Sequence, residues 1–299
     1  MYSVKMIISA TVISLREGIE AALIIAIMFS YLRKTSQYDL KKYLIYGTAA
    51  AIVSSVGVAV VVGLLFGIFE GTILTIFEGT VVLIAAVLLT TMIIWMWNAG
   101  SKVTQEIEES MQQSVVKQSG IGLALLSFSL VLREGVELSL FSIALVIQEG
   151  IQSYIGIVLG LSLAIILGVG IYKGSLRFNL GQLFKWTSIF LILFAAGMVA
   201  YGIHELQDAG LLLIGPIQVW NINPPLLPDG SYPLFHENGL IGGLAKALFG
   251  YNGNPSALEV VAYVSYLVIA FGYLWVKQKK TFLSVSQKEE KEKPVPVPA

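Results

Sequence analysis

Two stretches of this chain place charge where an apolar helix should have none. ISLREGIEAAL begins at Ile13 and LVLREGVELSL at Leu130, and each lies in the middle of a long hydrophobic run. A helix that crosses a bilayer needs about 20 predominantly apolar residues. One ionised side chain at its centre costs on the order of 3 kcal/mol even on the lenient insertion scale. The chain must therefore be built so that buried charges meet one another, water or a ligand. Composition agrees with a membrane setting: only 13% of residues are charged, against about 25% in soluble domains. The formal charge is zero, which gives no reason to invoke nucleic acid. Cysteine is absent, so disulfides, thiolate metal sites and iron–sulfur clusters are excluded.

Seven segments reach membrane-span length: Met6–Leu32, Tyr43–Phe69, Thr72–Trp97, Ile121–Ile147, Tyr154–Tyr172, Phe184–Ile203 and Leu258–Val276. The first begins like a secretory signal, with Lys5 ahead of an apolar stretch. No small-residue cleavage site follows, so it reads as a retained helix. Basic residues collect on alternate connections: Arg33, Lys34, Lys41 and Lys42; then Lys102 and Lys117; then Lys173, Arg177 and Lys185; then Lys277, Lys279 and Lys280. By the positive-inside rule the N-terminus is outside and the C-terminus cytoplasmic. The expected fold is an all-α membrane protein. It has a first three-helix repeat (1–99), a cytoplasmic connector (100–119) and a second three-helix repeat (120–207). A long external loop (208–257), a seventh transmembrane helix (258–277) and a disordered cytoplasmic tail (278–299) follow. The connector carries Glu106, Glu108 and Glu109 at helical spacing and reads as a short helix. The loop is too apolar for a free linker and is expected to fold back on the outer mouth.

The shared core of the two charged stretches is Leu-Arg-Glu-Gly-(Ile/Val)-Glu: Arg16, Glu17, Gly18 and Glu20, then Arg133, Glu134, Gly135 and Glu137. One copy falls on the first segment and the other on the fourth. Three helices per repeat, an odd number, force the two units into opposite orientation. Inverted repeats with a site at their interface are a recurrent transporter architecture. On a helix, positions i, i+1 and i+4 share a sector of about 100°, so each arginine and its two glutamates lie on one face. Gly18 and Gly135 lie toward the other side, where a missing side chain permits close helix contact. Each motif begins roughly 15–20 Å into its helix, near the midplane.

Six ions there would cost roughly 18 kcal/mol if they faced lipid. Four carboxylates meet only two guanidiniums, so two negative charges remain, or three if Glu78 of the third segment joins them. A bound cation would neutralise that surplus, and proton uptake is the competing solution. Carboxylate oxygens without Cys suit hard cations, which leaves Fe³⁺, Mn²⁺ and Ca²⁺ open on chemistry alone. The expected metal residues are Glu17, Glu20, Glu134, Glu137 and Glu78, with Arg16 and Arg133 as charge partners. An acidic approach path is expected outside, drawing on Glu70, Glu149, Glu205, Asp208, Asp229 and Glu237 against Lys5 and Lys246. Its possible metal contacts are His204, Glu205, Asp208, His236 and Glu237.

The paired motifs resemble those of the ferric iron permeases of the oxidase-dependent iron/lead transporter family. The similarity extends to Phe77-Glu78-Gly79 and to ALFGYNGNP at Ala247–Pro255. It implies a non-enzymatic permease that imports iron, as Fe³⁺, across the plasma membrane, with the motif glutamates as ligands. Iron is then cargo, and no tightly bound cofactor is expected. A separate ferroxidase or peroxidase-like partner would supply the metal, since nothing in this chain resembles an oxidase. Transport of Fe²⁺, Mn²⁺ or Pb²⁺, or a metal-sensing role without transport, are the alternatives, and the oligomeric state is left open. Two rivals fail on residues. A retinal protein needs a lysine that Leu258–Val276 does not contain. A zinc protease needs a second histidine where Asp208 and Leu240 stand after His204-Glu205 and His236-Glu237.

Overall fold

The computed structural model describes residues 3–99, 103–116, 119–173, 180–216 and 218–291. Of the basic residues used for orientation, Lys102, Lys117 and Arg177 lie outside them. The described residues form α-helices, one short 3₁₀ turn and no strand. The helices are α1 (Ser3–Lys34), α2 (Lys41–Ile68), α3 (Gly71–Ala99), α4 (Val103–Val116), α5 (Gly120–Glu149), α6 (Ser153–Tyr172), α7 (Leu180–Asp208), α8 (Leu240–Phe249) and α9 (Ala257–Lys291). Each of the seven apolar segments lies inside one of them, except that the second runs one residue past α2 to its cap, Phe69. Five regions are long and apolar enough to cross a membrane: Tyr38–Ile68, Gly71–Trp95, Ser153–Tyr172, Thr187–Asp208 and Ala257–Lys277. The other two long helices, α1 and α5, carry the motif charges in their middles. Exposed apolar residues, such as Val53 and Val56 on α2 or Val264 and Val268 on α9, have the character of lipid-facing surface.

Local signals fix the helix ends. α1 closes in a Schellman motif: Ser36 takes φ 57°, its N–H donates to Arg33 O, and the Gln37 N–H donates to Leu32 O at 2.9 Å. Arg33 and Lys34 fill the last turn, where cations complement the exposed carbonyls. Ser119 caps α5 by accepting the Gly122 N–H at 2.9 Å. The connector helix α4 buries Ile107 and Met111 against Met28 and Leu32 of α1 and Leu123 of α5. Where a disordered tail is expected from residue 278, α9 continues to Lys291, and 292–299 lie outside the described residues. Lys277 and Lys279 lie over the rings of Tyr273 and Trp275, and the sequence beyond is rich in the helix formers Gln, Lys and Glu.

Sequence neighbours are not the main packing partners. α1 packs chiefly on α6, α2 on α5, and α3 on α7. The α1–α6 seam is a ladder of small residues in which Gly156, Gly160, Ala164 and Gly168 meet Ala10, Ser14, Gly18 and Ala22 in turn. Both sides advance by four residues per rung, so the two helices run in the same sense. The α2–α5 seam repeats it, with Gly47 against Ala124 and Ser127, and Ser55 against Gly135. A shift of 117 residues carries Ile7, Ala10 and Gly18 onto Ala124, Ser127 and Gly135. A shift of 109 carries Gly47 and Ser55 onto Gly156 and Ala164. The two seams are thus the same contact made twice. In contrast, Gly79 of α3 meets Gly202 and Leu206 of α7 while Gly202 meets Leu83, so these helices run oppositely.

A leucine side chain at Gly47 or Gly156 has no room, and overpacking of this kind costs about 1–3 kcal/mol. Gly47→Leu and Gly156→Leu should each lower the thermal midpoint of the detergent-purified protein, followed by size-exclusion fluorescence. Gly57→Leu, which enters open space, should leave it unchanged or raise it.

Candidate metal site at the centre of the bundle

The motifs sit halfway along their helices: Gly18 is the sixteenth of 32 residues in α1, and Gly135 the sixteenth of 30 in α5. Apolar packing closes the site at both ends. On one side Ala10 and Ile13 of α1 pack with Phe141, Ala144 and Leu145 of α5. On the other, Ile24, Met28 and Leu32 pack with Leu123 and Val131. Gly18 and Gly135 press against α6 and α2, which turns the faces carrying arginine and glutamate toward each other. Glu17, Glu20, Glu134 and Glu137 are all buried.

Three of these carboxylates converge. Glu17, Glu134 and Glu137 each offer an oxygen within 4.8 Å of the others. Each also keeps one buried oxygen, Oε2, that no hydrogen bond satisfies. Orphaned buried acceptors are rare because leaving one unpaired costs roughly 1–3 kcal/mol. Glu20 has a different role. Its Oε1 lies 3.4 Å from Arg16 Nη2, an ion pair without hydrogen-bond alignment, while Arg16 Nη1 donates to Glu17 Oε1 at 3.0 Å.

The two arginines occupy unlike surroundings. Arg16 is 2% exposed, with Nη1 directed at Met92 Sδ of α3. The Arg133 side chain is 43% exposed. Its guanidinium stacks 4.7 Å from the centre of the Trp95 ring, and its Nε donates to Glu137 Oε1 at 3.1 Å. Met92 and Trp95 are thus part of the site, and nothing in an unbroken apolar run marks them in the sequence.

Glu78 does not join the cluster. It lies on α3 fourteen positions before Met92, about 21 Å along the helix axis. Its charged neighbour is Glu205 of α7, where Gly79 and Gly202 bring the two helices together. It therefore belongs with the residues expected to form an entry. The formal surplus at the centre, counted with every group ionised, is then two negative charges.

Those entry residues are only partly brought together. His204, Glu205 and Glu237 line a polar cavity of ≈ 370 Å³ between the ends of α7 and α9, the loop and α8, together with Tyr201, Lys246 and Glu259. Asp208 stands at its edge, 3.5 Å from His204 Nε2. His236 does not line it; its ring packs on Tyr232, and its Nδ1 accepts the Asn238 N–H. Glu237 is tied to the loop, accepting the Gly253 N–H on Oε2. Glu259 is the buried acid that sequence reasoning did not single out. One of its oxygens lies 3.0 Å from both His204 Nδ1 and the Ser256 N–H, and the other accepts from Asn252 Nδ2 at 2.8 Å. The Glu259 N–H returns a bond to Ser256 Oγ. This is a capping box at the start of α9, and the Ser256-x-x-Glu259 spacing was a readable signal for it.

Known proteins resemble this chain over most of its length. The model of the Iron permease FTR1 family matches residues 7–283. The chain is 35% identical over 261 residues to the ferrous iron permease EfeU of Escherichia coli O157:H7, covering 86% of this chain and 91% of that protein. It is equally similar to EfeU of Shigella sonnei. It is 31% identical over 272 residues to EfeU of Yersinia pestis, covering 90% and 93%. No solved structure matches. The matched region holds both charged motifs, the glycine seams and the cavity, and the chain is a multi-pass membrane protein that belongs to the iron permease FTR1 family.

Proposed function

We propose that this protein imports iron through a midplane site whose ligands are Glu17, Glu134 and Glu137. The observation that carries the proposal is the set of three converging carboxylates, each with one buried oxygen left without a hydrogen bond. A cation is the occupant that would satisfy all three at once. Glu20 and Arg16 then serve as an internal ion pair beside the metal. Arg133, stacked on Trp95, offsets part of the remaining charge.

The proposed topology is seven membrane spans (α1, α2, α3, α5, α6, α7 and α9), with the N-terminus outside and the C-terminus in the cytoplasm. The doubled glycine seam supports two inverted three-helix repeats, since it relates α1 to α5 and α2 to α6 by constant shifts. The repeats are not in identical states. α3 packs against α5, whereas α7 has no comparable packing on α1, and α8 lies against α1 and α7 there. The cavity on the α7–α8 side lies at the outer end of the proposed topology, and the apolar packing of Ala10 and Ile13 with Phe141 and Leu145 closes the site on that side. Alternating access would exchange the arrangements of the two repeats.

On charge balance we favour Fe²⁺. Four carboxylates and two guanidiniums leave a surplus of two, which a divalent ion neutralises, and Glu78 is out of reach as a further anion. The EfeU relatives are named ferrous iron permeases. The all-oxygen carboxylate set favours the ferric reading, because hard ligands suit the harder ion; that reading also requires a separate ferroxidase or peroxidase-like partner.

Uptake by purified protein in liposomes decides between the two. Radiolabelled Fe²⁺ kept reduced should enter faster than chelated Fe³⁺; faster entry of Fe³⁺ would replace the ferrous reading. Mn²⁺ and Pb²⁺ serve as competitors. Metal binding without uptake of any ion would point to a sensor. Glu17→Ala and Glu134→Ala should each abolish uptake while the protein still inserts, and wild-type uptake in both would remove the central site. Glu78→Gln should slow uptake less than either; an equal or larger loss would move the primary site toward α3.

A further inference from the structure

The α1–α6 ladder of small residues stops at Gly168–Ala22. From that rung on the two helices carry larger side chains, with Phe29 and Tyr172 edge to face at 6.4 Å, and a cavity of ≈ 330 Å³ opens between them. That volume is at the lower end of ordinary small-ligand sites. Its walls are almost wholly apolar and include Ile25 and Phe29 of α1 and Ile165, Val169 and Tyr172 of α6. The one charged lining residue is Lys41, the first residue of α2, with Nζ 5.5 Å above the Phe29 ring.

The rim around Lys41 is strongly basic. Arg33 and Lys34 end α1, Lys42 follows Lys41, and Lys173 follows α6 one residue beyond the cavity wall. All five cations are exposed, and none forms an ion pair with an acid among the described residues. Asp39 is the only acid between positions 33 and 42. An apolar slot open to the side of a membrane bundle, ending in uncompensated positive charge at helix-end level, is complementary to one kind of molecule. The slot suits an acyl chain, and the rim suits an anionic phosphate headgroup.

We propose that the α1–α6 groove is a specific site for an anionic phospholipid, with Lys41 as its headgroup contact. On the topology proposed above it lies in the cytoplasmic leaflet, where anionic lipid and the basic connections coincide. The site is independent of the carboxylate cluster. It is read by lipid binding in the absence of iron, so its failure would leave the transport proposal standing, and the reverse.

The test is native mass spectrometry of the detergent-purified full chain, titrated with dioleoyl phosphatidylglycerol or dioleoyl phosphatidylcholine. Wild-type protein should bind phosphatidylglycerol preferentially. Lys41→Ala should weaken that binding about fivefold, the effect of removing roughly 1 kcal/mol of headgroup attraction. Val169→Trp, which fills the slot and leaves the rim charge intact, should weaken it as well. Lys277→Ala, on α9, should not. Equal binding of the two lipids by wild-type protein, or a preference that survives both groove variants, would overturn the proposal. So would full competition by soluble glycerophosphate, which would reduce the site to a phosphate contact without a lipid chain.

Discussion

Six ionisable side chains, two arginines and four glutamates, are held at the centre of an apolar bundle, and the rest of the architecture answers to that. Hydrocarbon solvates none of them, so each must find its partner within the protein. Arg16 is spent on Glu17 and Glu20, and Arg133 on Glu137 and the face of Trp95. Two guanidiniums cannot neutralise four carboxylates. Three of the acids converge, and each keeps a second oxygen without a hydrogen bond. In a purely structural ion-pair network those oxygens would be tied off. Free oxygens of this kind are what the proposed cation site requires and a scaffold does not.

Bringing two such motifs together requires close approach of their helices to the rest of the bundle, and glycine supplies it. Gly18 and Gly135 let α6 and α2 press against the backs of α1 and α5, so the charged faces are turned inward from behind. Each motif helix is supported chiefly by a helix of the other half of the sequence. The halves are therefore interlocked, and the central site depends on both.

Much of this was legible in the sequence, and the misses have physical causes. The seven apolar runs, the repeated motif and the outward-turned glycines could all be read from periodicity and spacing. The place of Glu78 was not legible because an acid in an apolar segment advertises burial but not depth relative to another helix; the Met92–Arg16 and Trp95–Arg133 contacts fix the register of α3. Met92 and Trp95 were silent because an apolar residue facing a charge looks the same in sequence as one facing lipid. Glu259 was overlooked although its capping-box spacing is local and readable. The helical continuation of α9 was missed because a run of Gln, Lys and Glu is compatible with both a helix and a solvated tail.

The capping box at the start of α9 bears on how a cation would travel. Both oxygens of Glu259 are taken by Ser256, Asn252 and His204, and one oxygen of Glu237 is taken by Gly253. Glu259 therefore attracts at a distance but has little coordination left to offer at contact, and Glu237 offers one oxygen. The three central glutamates are the reverse, hidden from the surface yet with oxygens in reserve. Along the proposed route, ligand availability rises as field exposure falls. An ion would then be drawn into the cavity without being retained there, and would shed its water only where three oxygens can replace it together.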